Sequence, residues 1–380
     1  MDPRSGGPCQ GIRNSLPYLE AMNVSNEVVC LDDPSLDYPT KDNFKIYKLG
    51  IGKTGYQYHP RLVNWLVQNL GNYSHVIVHG LWQFPNYGVY KAIEKLRAKG
   101  ESIPKVASMP HGMLDPYFQK AEDRRIKAIR NEVVWRFTEK KAINNADAIF
   151  FTCEEELKLA RTTFKGYEPK REINVGYGIQ KPPKFREEFS IAFGKRLPNL
   201  QNNYWLFLSR IHPKKGVDLL IKAYKESVQE NSSIPDLVIA GPLNSSYAKE
   251  IQKIAGGHSK IHFPGMLVGE EKWGALYNCE TFILPSHQEN FGIAVVEAMA
   301  CGKPVLISKN VNIWREISEI KGGWFFKDLT AASIYNSLKE FTLKPKEQIE
   351  AAGANAQTGF QRLFNAEKQS EVLLRELQEL

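Results

Sequence analysis

The stretch TFILPSHQENFGIAVVEAMACGKPVLIS, residues 281 to 308, contains a complete structural unit. TFILPS reads as a strand, IAVVEAMA as a helix, and PVLIS as the next strand. Gly302 followed by Pro304 is the expected end of that helix. A strand, a crossover helix and a second strand make a βαβ unit, which implies a parallel sheet. Asn290 is the candidate N-cap, so Glu289 should precede the helix and Glu297 should lie two turns inside it.

Two carboxylates in one segment can be the acid and base of a glycosidase, a metal site, or a clamp on sugar hydroxyls. Eight residues of helical rise separate their backbones by about 12 Å. That exceeds the roughly 5 to 9.5 Å between the carboxyls of glycosidase pairs, which weakens the hydrolase reading. Glu297 sits among Ala294, Val295, Val296, Ala298 and Met299, so it must be paired or hydrogen-bonded. A ribose, a neighbouring lysine or loop amides would each satisfy it. The helix start at Asn290, Phe291 and Gly292 offers backbone N–H groups and a positive dipole end to a phosphate.

The pattern extends along the chain. Short apolar runs recur, each followed by a helix-length segment: EVVCLD, FKIYKL, HVIVHG, KVASMPHG, DAIFFT and INVGYG, then YWLFLSR, LVIAGP, IHFPG, TFILPS, PVLIS and GWFF. Between the two sets lies a Pro-, Lys- and Asn-rich segment with no strand pattern. The expected fold class is therefore α/β: two doubly wound parallel-sheet, Rossmann-like domains facing across a cleft. Their bounds are residues 1–180 for the first, a linker over 181–203, 204–356 for the second, and a terminal packing helix over 357–380.

A chain of 380 residues, 42% hydrophobic and 24% charged, is long enough for two buried cores. Five scattered cysteines argue against a disulfide framework and a zinc site. No apolar run reaches membrane-spanning length and no leader is visible, so a cytoplasmic location is expected. Residues 1 to 200 hold 30 Lys and Arg against 22 Asp and Glu, while residues 201 to 380 hold 20 against 20. The excess charge of the first half suits an anionic partner, or is a merely solvated face.

In SRIHPKKGVDLLIKAY, residues 209 to 224, a strand ends at Arg210, Lys214 and Lys215 fill the loop, and Gly216 gives it room before the next helix. Cations gathered at a strand mouth suit a diphosphate. Arg210 can grip it bidentately, and Lys215 can supply a point charge.

SRIHPKKG, VIAGP, IHFPGM and PSHQENFGIAVVEAMACGKPV, in this order and spacing, resemble the C-terminal half of the retaining glycosyltransferases of GT-B fold, glycosyltransferase family 4. PRSGGP, HVIVHGLW, SMPHGML and ADAIFFTCEEE carry a looser likeness in the first half. The resemblance implies that Arg210 and Lys215 hold a donor diphosphate and that Glu289 contacts the donor sugar. It implies that Asn290, Phe291 and Gly292 cradle the sugar and β-phosphate, that Glu297 binds the ribose, and that Met266 and Leu267, after Gly265, hold the base. His111 would face the reacting sugar, with Gly6 and Gly7 near the phosphate and acceptor. His79 and Trp82 would stand on the acceptor side. By itself His111 would more often be a structural histidine.

The chain departs from the family pattern in two places. The family places a strand ahead of the glycine loop, so a natural start about ten residues upstream is expected. VGYGI, residues 175 to 179, stands where Pro-Asn-Gly is common, which affects only local hinge contacts.

No Asp-x-Asp occurs in the chain, so cations and helix N–H groups are expected to stabilise the leaving diphosphate, with no cofactor and no metal required. The expected activity is hexose transfer, from UDP-glucose or next GDP-mannose, to a glycan or lipid-linked acceptor with retention. The rivals are an epimerase of the same architecture and a sugar-nucleotide binder without turnover. A nucleic-acid-binding role lacks a motif. The basic segment over residues 120 to 143 reads as a helix, either touching an anionic membrane or simply covering the sheet.

Overall fold

The computed structural model describes residues 1–2, 6–38, 42–121, 124–200 and 203–380. Part of the PRSGGP loop, the end of the expected linker (201–202) and residues 122–123 of the basic segment lie outside the described residues. The chain divides into two units, Met1–Gly178 with Ala366–Leu380, and Ile179–Asn365.

The first unit contains β1 (Glu27–Cys30), β2 (Lys45–Lys48), β3 (His75–His79), β4 (Lys105–Met109), β5 (Ala148–Phe151) and β6 (Glu172–Asn174). β1 and β2 pair in parallel as a separate sheet, while β3, β4, β5 and β6 form a four-stranded parallel sheet in chain order. β5 is wholly buried, as its AIFF sequence requires, whereas β1 and β2 are half-buried or exposed.

The second unit contains β7 (Tyr204–Leu208), β8 (Asp236–Ala240), β9 (Ile261–Gly265), β10 (Thr281–Leu284), β11 (Val305–Ser308) and β12 (Gly323–Phe326). Its sheet runs β12-β11-β10-β7-β8-β9, with every pair parallel. Counted within the unit this is the doubly wound order, and it reverses between β7 and β10. The loops leaving those two strands therefore diverge at the point where such sheets bind ligands. They are the loops that carry Arg210 to Gly216 and Glu289 to Gly292.

The expected linker is a correction. Residues 187 to 196 form a helix, Glu187–Arg196, that belongs to the second unit. Phe189 and Phe193, four residues apart, are buried, and Phe193 lies 5.4 Å from Tyr204 between ring centroids. Glu187 and Glu188 open this helix and Lys195 and Arg196 close it, the polarity that the helix dipole favours. The second unit also extends beyond residue 356, to Asn365, and the terminal helix begins later than expected, at Ala366. That helix returns to the first unit, where the Ser370 hydroxyl donates to Ser15 O at 3.4 Å and Arg171 donates to Glu379 O at 2.8 Å.

Candidate functional site

In the second unit two loops interlock. After β7 the chain makes a short 3-10 turn, Pro213–Lys215, in which the Lys214 N–H donates to His212 Nδ1 at 3.1 Å. Gly216 follows at φ +65°, and a Cβ there would stand 2.2 Å from Pro285 O. Only glycine lets the β7 loop lie against the β10 loop. The seam is closed by His287 N–H and the Ser286 hydroxyl, both donating to Lys214 O at 2.8 and 3.1 Å.

This seam turns Lys215 inward, where it is 5% exposed and its ammonium donates to the Glu289 carboxylate. Burial, then the neighbouring Lys214 and Arg210, pull the Lys215 ammonium down to about 7. Contact with Glu289 acts in the opposite sense, and burial beside two other cations is the larger influence. Arg210 itself is exposed at the mouth of β7.

Glu289 is held by its backbone, its N–H donating to Asn310 O and its O accepting from Asn312 N, both at 2.9 Å. Asn312 Nδ2 also donates to Asn290 Oδ1 at 3.4 Å. Asn290 is not the N-cap. The helix is Ile293–Ala300 and its cap is Gly292, in the left-handed region at φ +78°. The extra residues form a loop that carries the Glu289 carboxylate back toward Lys215. Glu297 consequently lies one turn, not two, inside the helix.

Of the partners open to Glu297, the free protein supplies a lysine. Lys272, on the helix Gly269–Asn278, donates to its carboxylate at 2.7 Å and stands 4.1 Å over the Trp273 ring. Gly265 ends β9 at φ +81°, and its O accepts from Gly241 N–H at 3.0 Å. Beyond it Met266 is 60% exposed and Leu267 is buried.

In the first unit, His79 at the end of β3 and His111 just after β4 meet ring to ring, Nδ1 to Nε2 at 2.9 Å. Burial lowers the His79 imidazole to about 4, and burial with His79 nearby holds His111 well below its ordinary value. Both rings are neutral at neutral pH, so one nitrogen donates to the other. His111 is at φ +53° and Trp82 at φ +70°, backbone conformations costly for such residues.

Two buried carboxylates hold these turns. Glu156 accepts from Gly112 N–H, and from Thr152 N and Oγ1 at 2.8 and 2.6 Å. Glu139 accepts from Trp82 N–H at 3.1 Å and from Asn86 Nδ2 at 2.5 Å. Burial raises the Glu139 carboxyl to about 7, against the pull of those two hydrogen bonds. Beside the Trp82 turn opens a cavity of about 350 Å³ lined by His79, Gly80, Trp82, Asn86, Met113 and Arg130 among others. Gly6 caps the helix Gly7–Ala21, and Gly7 O accepts from the Tyr177 hydroxyl at 2.7 Å, with the Tyr177 ring edge-on to His111.

Sequence reasoning missed Glu139, Glu156 and Lys272. Three glutamates in a row after a strand, in TCEEE, were a signal for Glu156. Glu139 carried none, because it lies in a π-helical turn, Trp135–Glu139, that breaks the 3.6-residue period. Among the described residues, no group of three or more His, Cys, Asp or Glu side chains is placed to hold a metal ion, and no helix is long and apolar enough to cross a membrane.

Residues 189–358 match the family model of glycosyl transferases group 1. The chain is 26% identical over 181 residues to an uncharacterized glycosyltransferase of Methanocaldococcus jannaschii, covering 47% of this chain and 43% of that one. The chain thus spans less than half the length of that relative. Its fold is similar to that of sucrose-phosphate synthase from Thermosynechococcus elongatus, with a TM-score of 0.71 at 18% identity over 98% of this chain and 93% of that one. It is also similar to that of the Anabaena protein HepE, solved with UDP and glucose, with a TM-score of 0.67 at 16% identity over 89% and 87% of the two chains. The fold is that of GT-B glycosyltransferases, with two Rossmann-like units, and residues 189–358 resemble a group 1 glycosyl transferase domain in sequence as well.

Proposed function

We propose that the protein transfers a hexose from a nucleotide sugar to a hydroxyl of a glycan or lipid-linked acceptor, with retention of anomeric configuration and without a metal. UDP-glucose is the preferred donor, and HepE, whose structure holds UDP and glucose, supports that choice. The observation that carries the reading is the buried Lys215 resting on Glu289 at the switch point of the second sheet.

A diphosphate drawn to Arg210 and Lys215 takes over the lysine's charge, and Glu289 is then free to accept from sugar hydroxyls. The start of the helix Ile293–Ala300 adds N–H donors and the positive dipole end. These groups stabilise the leaving diphosphate as its charge grows, a role in which one donor contributes about 3 to 4 kcal/mol. Glu297 releases Lys272 to bind the ribose, and the loop of Gly265, Met266 and Leu267 holds the base. His111 is assigned to the reacting sugar, and His79 and Trp82 to the acceptor, whose hydroxyl gives its proton to the leaving phosphate.

The test is a panel of nucleotide sugars with and without added acceptors, scored by released nucleotide and by the anomeric configuration of the product, with chelator present. Arg210→Ala and Lys215→Ala should each lower turnover about a hundredfold or more. Near-normal rates in both variants would remove the roles given to these residues. Conversion of the donor's sugar in the absence of acceptor would favour the epimerase reading, and tight donor binding without product would favour a binder.

A further inference from the structure

We propose that the outer face of the helix Arg125–Val134, continued through the π-helical turn Trp135–Glu139, docks on a bilayer rich in anionic phospholipid. This stands apart from the transfer reading, because it needs only this helix. Four large apolar side chains lie in water along it: Ile126 at 86% exposure, Ile129 at 68%, Val133 at 51% and Phe137 at 64%. Their spacing of three, four and four residues is that of a single helical stripe. Single exposed apolar residues need no explanation. Here four of the thirteen large exposed hydrophobics of the described residues fall on one stripe.

The helix is inverted relative to one that covers a core with its apolar side. Its buried positions are Asn131, Trp135 and Glu139, at intervals of four. Trp135 stacks on Phe164 at 4.9 Å between centroids and donates to Lys165 O at 3.1 Å, while Glu139 receives Trp82 and Asn86. The inner face is thus anchored by an aromatic stack and by hydrogen bonds, and the aliphatic residues are left outside.

Cations border the stripe on both sides. At helical spacing Lys127 and Arg130 fall along one flank and Arg125 and Arg136 along the other, and all four are exposed. Glu132 is the one exposed acidic residue among the described residues 124 to 141. An apolar strip between two basic edges matches the boundary of acyl chains and phosphate headgroups, with the long side chains of Arg125, Lys127 and Arg136 suited to the phosphates while Arg130 donates to Asn131 Oδ1 at 2.8 Å. A protein partner would have to present an apolar groove with acidic rims in register, whereas an anionic bilayer meets the whole face without any register. Arg130 also lines the cavity that holds His79 and Trp82, so docking would set the mouth of that cavity beside the lipid surface.

The test is co-sedimentation of the full chain with vesicles of phosphatidylcholine alone or mixed in equal parts with phosphatidylglycerol, at low and high salt. Strong binding to the anionic vesicles that weakens with salt is expected. Lys127→Ala combined with Arg136→Ala should lower the partition about 25-fold, since each basic residue near the surface contributes about fivefold. Ile126→Ser combined with Ile129→Ser should lower it at least tenfold, with melting temperature and UDP-glucose binding unchanged. In the unsubstituted protein, the amides of residues 125 to 137 should gain protection from hydrogen exchange on vesicle addition. Failure to bind, equal binding to both vesicle types, or variants that bind like the parent would overturn the proposal. So would self-association in the absence of vesicles that Ile126→Ser and Ile129→Ser abolish, which would make this face an interface between copies.

Discussion

If Lys215 is largely neutral in the free protein at slightly alkaline pH, donor binding must carry a proton with it. Burial and two nearby cations hold its ammonium at about 7, and a bound diphosphate would return it toward the ordinary lysine value of about 10.4. At pH 8 roughly a tenth of the free protein carries the proton and nearly all of the complex does, so binding should take up about 0.9 proton. At pH 6 the uptake should fall to about 0.1 proton, because Lys215 is then charged in both states. The sign follows from the linkage: the bound state holds more protons, so Kd should rise nearly tenfold per pH unit above about 8. Titration calorimetry with UDP-glucose in buffers of different ionisation enthalpy measures the uptake directly, since this donor has no phosphate titrating near neutrality. Lys215→Arg, charged at every working pH, should bind with no proton linkage. Intact binding by the parent with no uptake at pH 8 would refute the reasoning, because it would mean that Glu289 already holds the lysine charged.

Gly216→Ala should destabilise the second unit by about 2 kcal/mol or more and weaken UDP-glucose binding, since its Cβ would stand 2.2 Å from Pro285 O at a positive φ; thermal melting and donor titration measure both effects. Glu297→Ala should raise the KM for the donor about tenfold with kcat little changed, the value of one hydrogen bond to a charged group, and should lose discrimination against a 2′-deoxyribose donor. Glu139, whose folded carboxyl is raised to about 7, favours the folded state most at low pH. Its contribution is lost as pH climbs from the unfolded carboxyl's value of about 4.3 to about 7, at up to about 1.4 kcal/mol per unit. Urea unfolding between pH 5 and 8 should therefore show a falling stability that Glu139→Gln flattens, and parallel profiles would contradict that role.

The second unit was readable because each of its strands is a short apolar run closed by a turn signal, and β7 to β12 stand where YWLFL, LVIA, IHFPG, TFIL, VLIS and GWFF place them. The strand order that brings the loops after β7 and β10 together follows from no single segment, since pairing is a property of the whole sheet. The meeting of Lys215 with Glu289 could therefore be suspected from charge and spacing, but its burial could not. Asn290 looked like the cap because Asn is a strong one, yet Gly292 won the position by reaching a left-handed conformation that shortens the helix and lengthens the loop. That exchange shapes the loop: two further residues, Phe291 and Gly292, separate Glu289 from the helix, and its carboxylate meets Lys215. The helix over 187 to 196 was hidden by its polar flanks, although Phe189 and Phe193 carried its period.

The first unit was harder to read because its site rests on residues without a local pattern. His79 and His111 are 32 residues apart and meet only because β3 and β4 are neighbours in register, His79 opposite Met109. Glu139 and Glu156 act on the backbone N–H groups of Trp82 and Gly112, and a backbone acceptor leaves no mark on the sequence of its partner. The strained Trp82 and His111 turns imply this kind of support, since a left-handed Trp or His persists only where other contacts fix it. A buried carboxylate that fixes such a turn must be fully hydrogen-bonded, and Glu156, with three donors, is bound in that way. Glu139 has two donors and a carboxyl that burial raises to about 7, so ionising it as pH climbs costs the folded state at the Trp82 turn, the part of the histidine site that pH can destabilise.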